Sequence, residues 1–154
     1  MSGFIAGGDT TSAHPITNAD FWPDLDGQHL RAAMRIDSSV TDDRLDQATV
    51  NAIIEANREL AAYRTARKAE GYAALAEVPA EQINDESELL HLYRRIVYCR
   101  ALAELIERYR SYDTTNSGEQ KVTEEQTSPD QLRRDARFAL RNILSVSQNT
   151  VELL

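Results

Sequence analysis

The side chains in this sequence that are best suited to hold a metal ion are three histidines. His14, His29 and His91 lie far apart along the chain and form neither an HxxH nor an HExxH pair. Those spacings are the ones that bring two imidazoles to one face of a helix as metal ligands. The histidine pattern therefore predicts no metal centre.

The segment Asp24-x-Asp26-Gly27 resembles the opening of a calcium-binding loop. In an EF-hand, the sixth position of the loop is a glycine and the twelfth is a glutamate. Here those two positions are His29 and Arg35, so we reject a calcium site. Since no other ligand pattern occurs, we expect no metal and no other cofactor.

Cys99 is the single cysteine, which excludes an intrachain disulfide. A cysteine nucleophile needs a nearby base and an exposed, electropositive setting. The setting of Cys99 is apolar instead, which indicates a buried structural thiol: its neighbours include Ile96, Val97, Leu102 and Ala103. The chain also has no GxSxG, glycine-rich phosphate loop or dinucleotide fingerprint. We therefore predict that it is not an enzyme.

A locally basic strip near the C-terminus is the clearest candidate for binding. Two acids, Asp130 and Asp135, stand among four arginines of this otherwise acidic chain: Arg133, Arg134, Arg137 and Arg141. The strip is interpreted in three ways: as a solvated helix face, as a contact surface whose guanidinium groups pair with an acidic partner, or as a DNA contact. The aromatic pair Phe21 and Trp22 is a second candidate contact, since such residues are enriched at interfaces.

The elements that position these residues begin with two helices in the first half of the chain. Asp26 is a suitable N-cap for a short helix of about residues 27–36, and Thr41 for a long helix of about residues 41–70. Gly71 can end the long helix.

Two further helices are predicted in the second half. Asp85 and Glu88 form a capping-box pattern before a helix of about residues 86–112. This helix is apolar over most of its circumference, so it is either the central helix of the fold or part of a subunit interface. Ser128 and Pro129 start the last helix.

Apolar residues recur within the longer helices at three- and four-residue intervals, which predicts buried stripes. Val50, Ile54 and Ala61 widen the stripe of the helix over 41–70. The predicted core consists of Leu45, Ile53, Leu60, Leu92, Ile96, Cys99, Leu102, Ile106, Leu132 and Leu140.

The remaining segments lack a helical period. Residues 1–20 are predicted to be a flexible N-terminal arm, and residues 146–154 a C-terminal tail. Residues 113–127 are predicted to be an acidic, solvated loop. The fold expected from these elements is all-α: a compact bundle of about four helices over residues 21–145, without strands.

Composition limits the partners. The chain has 154 residues and a formal net charge of −8. This charge disfavours a protein whose main task is to grip nucleic acid, because lysine and arginine supply most of the affinity for phosphates. No apolar run reaches the length of about 18 residues that a membrane span needs, and the N-terminus has no signal-peptide pattern. We expect the chain to stay or assemble in the cytoplasm, with no membrane partner.

Several stretches resemble one known family, the gpL-like head completion/stabilisation proteins of temperate contractile-tailed phages. The resemblance runs from about Phe21 to Leu144. It is carried by FWPDLDGQHLRAAMRI, VTDDRLDQATVNAIIEANRELAAYR, GYAALAEVPAEQIND and LIERYRSYD. None of these stretches is a catalytic motif.

The resemblance implies a structural virion protein that acts late in head assembly. Such a protein binds the portal vertex after the genome is packaged, helps to retain the DNA and provides a platform for the neck or tail-completion protein. Relatives form a ring of about twelve copies, which requires head-to-tail interfaces that close. Packaged DNA would be a partner only as it passes through the channel. The implied location is the head–tail junction of the virion, and the host cytoplasm during assembly.

Two other hypotheses stay open. The chain could be a nucleic-acid-binding helical module of the packaging machinery that uses the arginine strip, in which case its DNA affinity would be sensitive to salt. It could also contribute to an enzyme site formed only between subunits, although no set of residues supports this.

Overall fold

The computed structural model describes residues 12–113 and 127–149. Within these residues, five α-helices account for most of the structure: α1 (Gly27–Ala33), α2 (Asp42–Glu59), α3 (Ala61–Ala69), α4 (Glu88–Asp113) and α5 (Pro129–Asn149). A short 3-10 helix covers Leu75–Glu77. Two antiparallel pairs of two-residue strands complete the fold: β1 (Pro15–Ile16) with β2 (Leu25–Asp26), and β3 (Gln82–Ile83) with β4 (Glu86–Ser87).

Helix α4 lies at the centre of the described structure, with α2 and α5 packed against it. Its buried residues point in several directions around the helix, as the sequence pattern requires of a central helix. They include Leu89, Tyr93, Ile96, Val97, Ala101 and Ala103, all without exposed surface. The packing of α2 and α5 on α4 therefore decides which faces of these three helices are buried.

Three helix starts follow the predicted capping chemistry. The carboxylate of Asp26 accepts a hydrogen bond from the Gln28 amide at 2.9 Å. The hydroxyl of Thr41 accepts from the Arg44 amide at 3.4 Å. Ser128 accepts from the Gln131 amide at 3.2 Å. Each cap satisfies one of the amides that a helix start leaves unpaired.

The helix predicted over residues 41–70 is interrupted once, at Leu60. This residue has φ −95° and ψ 11°, which ends α2 and begins α3. The backbone bonds on either side are kept: the Leu60 amide donates to the Ala56 carbonyl and the Leu60 carbonyl accepts from the Arg64 amide. The chain therefore bends without losing these bonds, and Leu60 stays fully buried.

Gly71 ends α3, as predicted. Its φ is +103°, a backbone conformation that favours glycine. The Gly71 amide donates to the Lys68 carbonyl at 3.0 Å and the Tyr72 amide to the Arg67 carbonyl at 3.2 Å. This pair of bonds is the Schellman arrangement of a helix C-terminus.

The all-α prediction and the capping box at Asp85 both need correction at the β3–β4 hairpin. Asn84 and Asp85 have φ values of 51° and 61° and form its two-residue turn, the type that needs two positive φ angles. Asp85 therefore cannot cap α4. Ser87 does so instead, since its hydroxyl accepts from the Leu89 amide at 3.2 Å. The fold is thus mostly helical with two small sheets.

Ordered structure begins earlier than the predicted boundary at residue 21. Strand β1 lies within the segment expected to be a flexible arm, and Ile16 is buried. Two hydrogen bonds hold the segment. The His14 amide donates to the Asp26 carboxylate at 3.0 Å, and the Gly27 amide donates to the His14 carbonyl at 2.7 Å. Residues 1–11 of the predicted arm lie outside the described residues.

Two other predicted segments fall largely outside the described residues. Residues 114–126 of the acidic loop are not among them, nor are residues 150–154 of the tail. The first part of the predicted tail, residues 146–149, continues helix α5.

Candidate interaction surface

The three histidines serve separate parts of the fold. His14 Nε2 lies 2.8 Å and 3.0 Å from the two carboxylate oxygens of Asp46. His29 Nδ1 lies 2.7 Å from the Tyr98 hydroxyl. His91 Nε2 lies 2.8 Å from the carbonyl oxygen of residue 83. Within residues 12–113 and 127–149, no three potential metal-ligating side chains come together.

The structure places Cys99 in the core. Its side chain is buried, and burial raises the pKa of the thiol above its usual value. A thiol of this kind stays protonated near neutral pH, and the thiolate is the reactive form. This setting disfavours Cys99 as a nucleophile.

Phe21 and Trp22 also lie in the core, which corrects their assignment as a contact surface. They are only 1% and 4% exposed. The Trp22 ring stacks on Tyr93, with centroids 5.0 Å apart, and the Phe21 ring meets Trp22 edge-on at 4.8 Å. The Phe21 carbonyl accepts from the Leu75 amide at 2.9 Å. No partner can reach these rings unless this region unfolds.

Tyr93 anchors a half-buried polar network beneath these rings. Its hydroxyl donates to Asn57 Oδ1 at 2.6 Å and accepts from Asn18 Nδ2 at 2.8 Å. Asn57 Nδ2 in turn donates to Asn18 Oδ1 at 3.0 Å. Burial raises the pKa of Tyr93 to about 12. The network joins the N-terminal segment to α2 and α4.

The predicted core residues occupy two shells. Those that are buried are Leu45, Ile53, Leu60, Ile96, Cys99 and Leu132, and those that are partly buried against them are Leu92, Leu102, Ile106 and Leu140. Val50 and Ile54, which the sequence assigned to the buried stripe of α2, are instead 40% and 43% exposed. These two apolar side chains lie one turn apart on the exposed surface of α2.

Two members of the predicted arginine strip also line a groove beside α5. Arg133 pairs with Glu107 through two hydrogen bonds of 2.6 Å each. Arg133 and Arg137 line a groove between helices α2, α4 and α5. Arg134 and Arg141 are exposed and do not line it. All four lie within about 100° of one another around α5, so they share one side of the helix, and two of them also line the groove.

This groove, called the α2–α4–α5 groove below, encloses about 660 Å³. Most of its lining is polar or charged, and Ile54 adds apolar surface on the α2 side. Its charged residues are Glu55, Arg58 and Glu59 from α2, Arg100, Glu104 and Arg108 from α4, and Arg133 and Arg137 from α5.

The α2–α4–α5 groove is more basic than the rest of the molecule. Five arginines and three glutamates line it, which leaves a net charge of +2. If Glu107 is included because of its pair with Arg133, the charge is still +1. The whole chain has a formal charge of −8, so the groove is a local positive region in an acidic protein.

Arg100 forms the least exposed part of this charge. Its side chain is 10% exposed, and Nη2 lies 2.9 Å from Glu59 Oε1. The other terminal nitrogen, Nη1, is buried and has no hydrogen-bond partner among the described residues. A buried donor without an acceptor costs about 1–3 kcal/mol, so Arg100 is under-satisfied in the isolated chain.

Sequence reasoning missed Arg58, Arg100 and Arg108 as members of a site. They lie on two helices that are far apart in the sequence, and only the packing of α2 on α4 brings them together. No spacing in the sequence signals this arrangement. The groove can bind carboxylates or other anions, and no residue in its lining is a plausible activated nucleophile.

No helix in the part of the chain that the structure describes is both long and apolar enough to cross a membrane.

Similarity to known proteins covers most of the chain. The family of phage head completion proteins (GPL) matches residues 16–154. No solved structure matches the chain.

Two phage proteins illustrate the relationship. The head completion/stabilization protein of Escherichia phage P2 is 38% identical over 128 residues, which cover 83% of this chain and 76% of that protein. The probable head completion/stabilization protein of Haemophilus phage HP1 is 26% identical over 141 residues, or 90% of this chain and 91% of that protein. With the match to residues 16–154, these similarities show that the chain belongs to the phage head completion protein (GPL) family, whose role is structural.

Proposed function

We propose that this protein completes the packaged phage head by binding the portal vertex, where it helps to retain DNA and provides a platform for the neck or tail. The observation that carries the proposal is the family match over residues 16–154. The P2 relative, named as a head completion/stabilization protein, supports the same role because similarity covers most of both chains.

Copies of the protein would form a ring of about twelve around the portal. A closed ring needs two different surfaces on each copy, one that meets the neighbour on either side. The described structure is suited to this, because two long helices, α2 and α5, pack on a third, α4. Its exposed apolar side chains include Phe138 on α5, at 52% exposure, and Val50 and Ile54 on α2. Aromatic side chains such as that of Phe138 are enriched in protein interfaces.

The net charge supports a role beside DNA rather than tight binding to it. An acidic surface repels phosphates, so packaged DNA could slide past a ring of such proteins without sticking. DNA would then be retained by closure of the head and not by affinity. The expected location is the head–tail junction of the virion, with assembly in the host cytoplasm.

We also propose that the protein has no catalytic activity. Cys99 is buried with a raised thiol pKa, and each histidine is engaged in the fold. The partners we expect are the portal protein, the neck or tail-completion protein and further copies of this chain. Neither a cofactor nor a membrane is part of this proposal.

The decisive experiment is the determination of molecular mass by light scattering, with and without the cognate portal, at two salt concentrations. The proposal predicts that a small species joins the portal in a complex of fixed stoichiometry. A matched control is the same mixture with the portal of an unrelated phage, which should remain unbound. If the cognate portal leaves the mass of both components unchanged, the portal-binding role is refuted.

The alternative function is a nucleic-acid-binding module of the packaging machinery. The net positive charge of the α2–α4–α5 groove is the observation that favours it. Binding of this kind would weaken steeply as salt increases, because phosphate contacts release counterions. Salt-sensitive binding to a DNA duplex, together with no binding to the portal, would replace the first proposal with this one.

A further inference from the structure

We propose that the α2–α4–α5 groove is a docking site for an acidic segment of a protein partner, whose carboxylates pair with Arg58, Arg100 and Arg137. The inference rests on the proposed function only in that the partner belongs to the phage head. The contacts that would recognise the partner are those of the groove residues themselves.

Arg100 is the first reason for an acidic ligand. A guanidinium group offers donors on both terminal nitrogens and can hold a carboxylate through two parallel bonds. In the free protein, Glu59 engages Nη2 alone, and Nη1 has no acceptor. Glu59 is half exposed, so its side chain can move aside for an incoming carboxylate. Binding would then supply the acceptor that the fold does not provide.

Arg58 and Arg137 are the second reason. Both line the groove and are exposed, and neither has an ion pair with any described residue. The other groove arginines are already engaged: Arg108 with Glu104 at 2.8 Å, and Arg133 with Glu107 at 2.6 Å. Two unpaired cations thus lie on opposite walls, α2 and α5, with Arg100 on α4. This arrangement suits a chain segment with more than one acid.

Apolar surface beside the groove favours a protein segment. Ile54 lines the groove at 43% exposure, and Val50 follows on the same side of α2 at 40%. A segment that combines acidic and apolar side chains can place the latter on these two residues. Electrostatic complementarity would set its register, while the apolar contact adds to its affinity.

A nucleic acid fits the groove less well. Its backbone presents a phosphate at every nucleotide, so it needs a continuous cationic track. The arginines here alternate with Glu55, Glu59 and Glu104, which would repel part of any regular phosphate chain. An acidic peptide can place neutral residues opposite these glutamates.

The test uses two double variants of the full chain with equal changes in charge. The groove variant is Arg58→Glu with Arg137→Glu. The control variant is Arg35→Glu with Lys68→Glu, two exposed cations on other parts of the chain that do not line the groove. All four positions are exposed, so we expect both variants to fold, and circular dichroism with thermal unfolding verifies this.

Two probes are titrated against each protein. One is a fluorescein-labelled 16-residue peptide in which glutamate and leucine recur at three- and four-residue intervals, and the other is the cognate portal. A labelled 20-nucleotide oligothymidine serves as the nucleic-acid comparison. The groove variant should bind at least one of the first two probes about tenfold or more weakly than wild type, since each lost charge-assisted contact contributes about a factor of ten or more. The control variant should stay within roughly twofold of wild type.

The outcomes separate this inference from the proposed function. Equal weakening in both double variants would overturn the inference, because it would reduce the effect to net charge. The same holds if neither peptide nor portal distinguishes the two variants, or if only oligothymidine does. If wild type binds the portal but neither the portal nor the peptide distinguishes the two variants, the proposed function stands and the groove inference fails. If wild type does not bind the portal, the proposed function fails and the peptide titration alone decides on the groove.

A third variant examines Arg100 itself. Arg100→Lys keeps a cation that can pair with Glu59 but removes the second terminal nitrogen. We expect this variant to bind the peptide or portal several-fold more weakly than wild type, with an unchanged helical spectrum. Wild-type affinity for both probes would exclude the two-nitrogen recognition that we assign to Arg100.

Discussion

The Tyr93 hydroxyl should contribute measurably to the stability of this fold, and Tyr93→Phe removes it alone. Phenylalanine keeps the ring that stacks on Trp22. The substitution removes the only donor that Asn57 Oδ1 has among the described residues, at 2.6 Å, and one acceptor of Asn18 Nδ2, at 2.8 Å. Asn18 Nδ2 retains the Pro23 carbonyl as an acceptor at 3.0 Å. Asn57 Oδ1 is therefore left without a donor, whereas Asn18 Nδ2 keeps one of its two acceptors.

The expected cost follows from these contacts. A half-buried acceptor without a donor costs about 1–3 kcal/mol, so we expect Tyr93→Phe to lower the free energy of unfolding by about 2 kcal/mol. For a chain of this length, that corresponds to a decrease in Tm of roughly 4–8 °C. Urea denaturation followed by circular dichroism measures the change, with the slope m serving as a check that unfolding remains two-state.

Tyr98→Phe is the matched control on the same helix. Within the part of the chain that the structure describes, the Tyr98 hydroxyl has one hydrogen bond, with His29 at 2.7 Å. His29 is exposed and can turn to water. We expect a loss of about 1 kcal/mol or less. A cost for Tyr93→Phe below about 0.5 kcal/mol, or smaller than that of Tyr98→Phe, would refute the role of the network. A coupling of about 0.5 kcal/mol or more between Tyr93→Phe and Asn57→Ala would support it.

Three other perturbations have definite expected results. Gly27→Ala should lower the free energy of unfolding by about 1–3 kcal/mol, because its Cβ would lie 2.7 Å from Cδ2 of His14; denaturant titration measures this, and His14→Ala in the same chain should restore part of the loss. Alkaline pH should destabilise the protein, because burial raises the pKa values of Tyr93 and Tyr98 from 10.0 to about 12. The contribution of each protonated tyrosine to the free energy of unfolding is fully present below pH 10 and is lost as pH rises towards 12, by about 1.4 kcal/mol per pH unit and tyrosine. Denaturation at several alkaline pH values measures this loss. A free energy of unfolding that does not fall over that interval would contradict the burial of both hydroxyls. Ile96→Asp should unfold the chain, because it places an unpaired charge at a fully buried position of α4; a soluble protein with the wild-type helical spectrum would contradict the central position of that helix.

The helices were predictable where local chemistry decides their ends. Asp26, Thr41 and Ser128 cap helices in the structure as the sequence indicated, because an N-cap depends on a few neighbouring residues. Gly71 ends α3 for an equally local reason, its positive φ. The interruption at Leu60 was not predictable, since leucine is a good helix former.

The hairpin before α4 was missed because two local patterns compete in the same residues. Asp85 and Glu88 have the spacing of a capping box, but Asn84 and Asp85 are also residues that tolerate the positive φ of a tight turn. The structure forms the turn, and Ser87 becomes the cap. A sequence gives no direct measure of which pattern is stabilised by the contacts around it.

Surface and core were harder to separate than helix and loop. Phe21 and Trp22 are apolar and precede a predicted helix, which suits a contact surface as well as a core; their stacking with Tyr93 on α4 is a long-range contact. Val50 and Ile54 show the opposite error. They continue the apolar stripe of α2, but the stripe is wider than the surface that α4 covers.

Only two of the four strip arginines line the groove, which limits what mutation of α5 can show. A variant that replaces Arg134 and Arg137 together would combine one exposed residue outside the groove with one inside it, and its effect could not be assigned. Binding through the groove also depends on α2, α4 and α5 being packed together, because each helix supplies at least one arginine. Substitutions that loosen α4, such as Tyr93→Phe, could therefore weaken partner binding without touching the groove. A loss of binding locates the site only when the unfolding free energy of the same variant is shown to be unchanged.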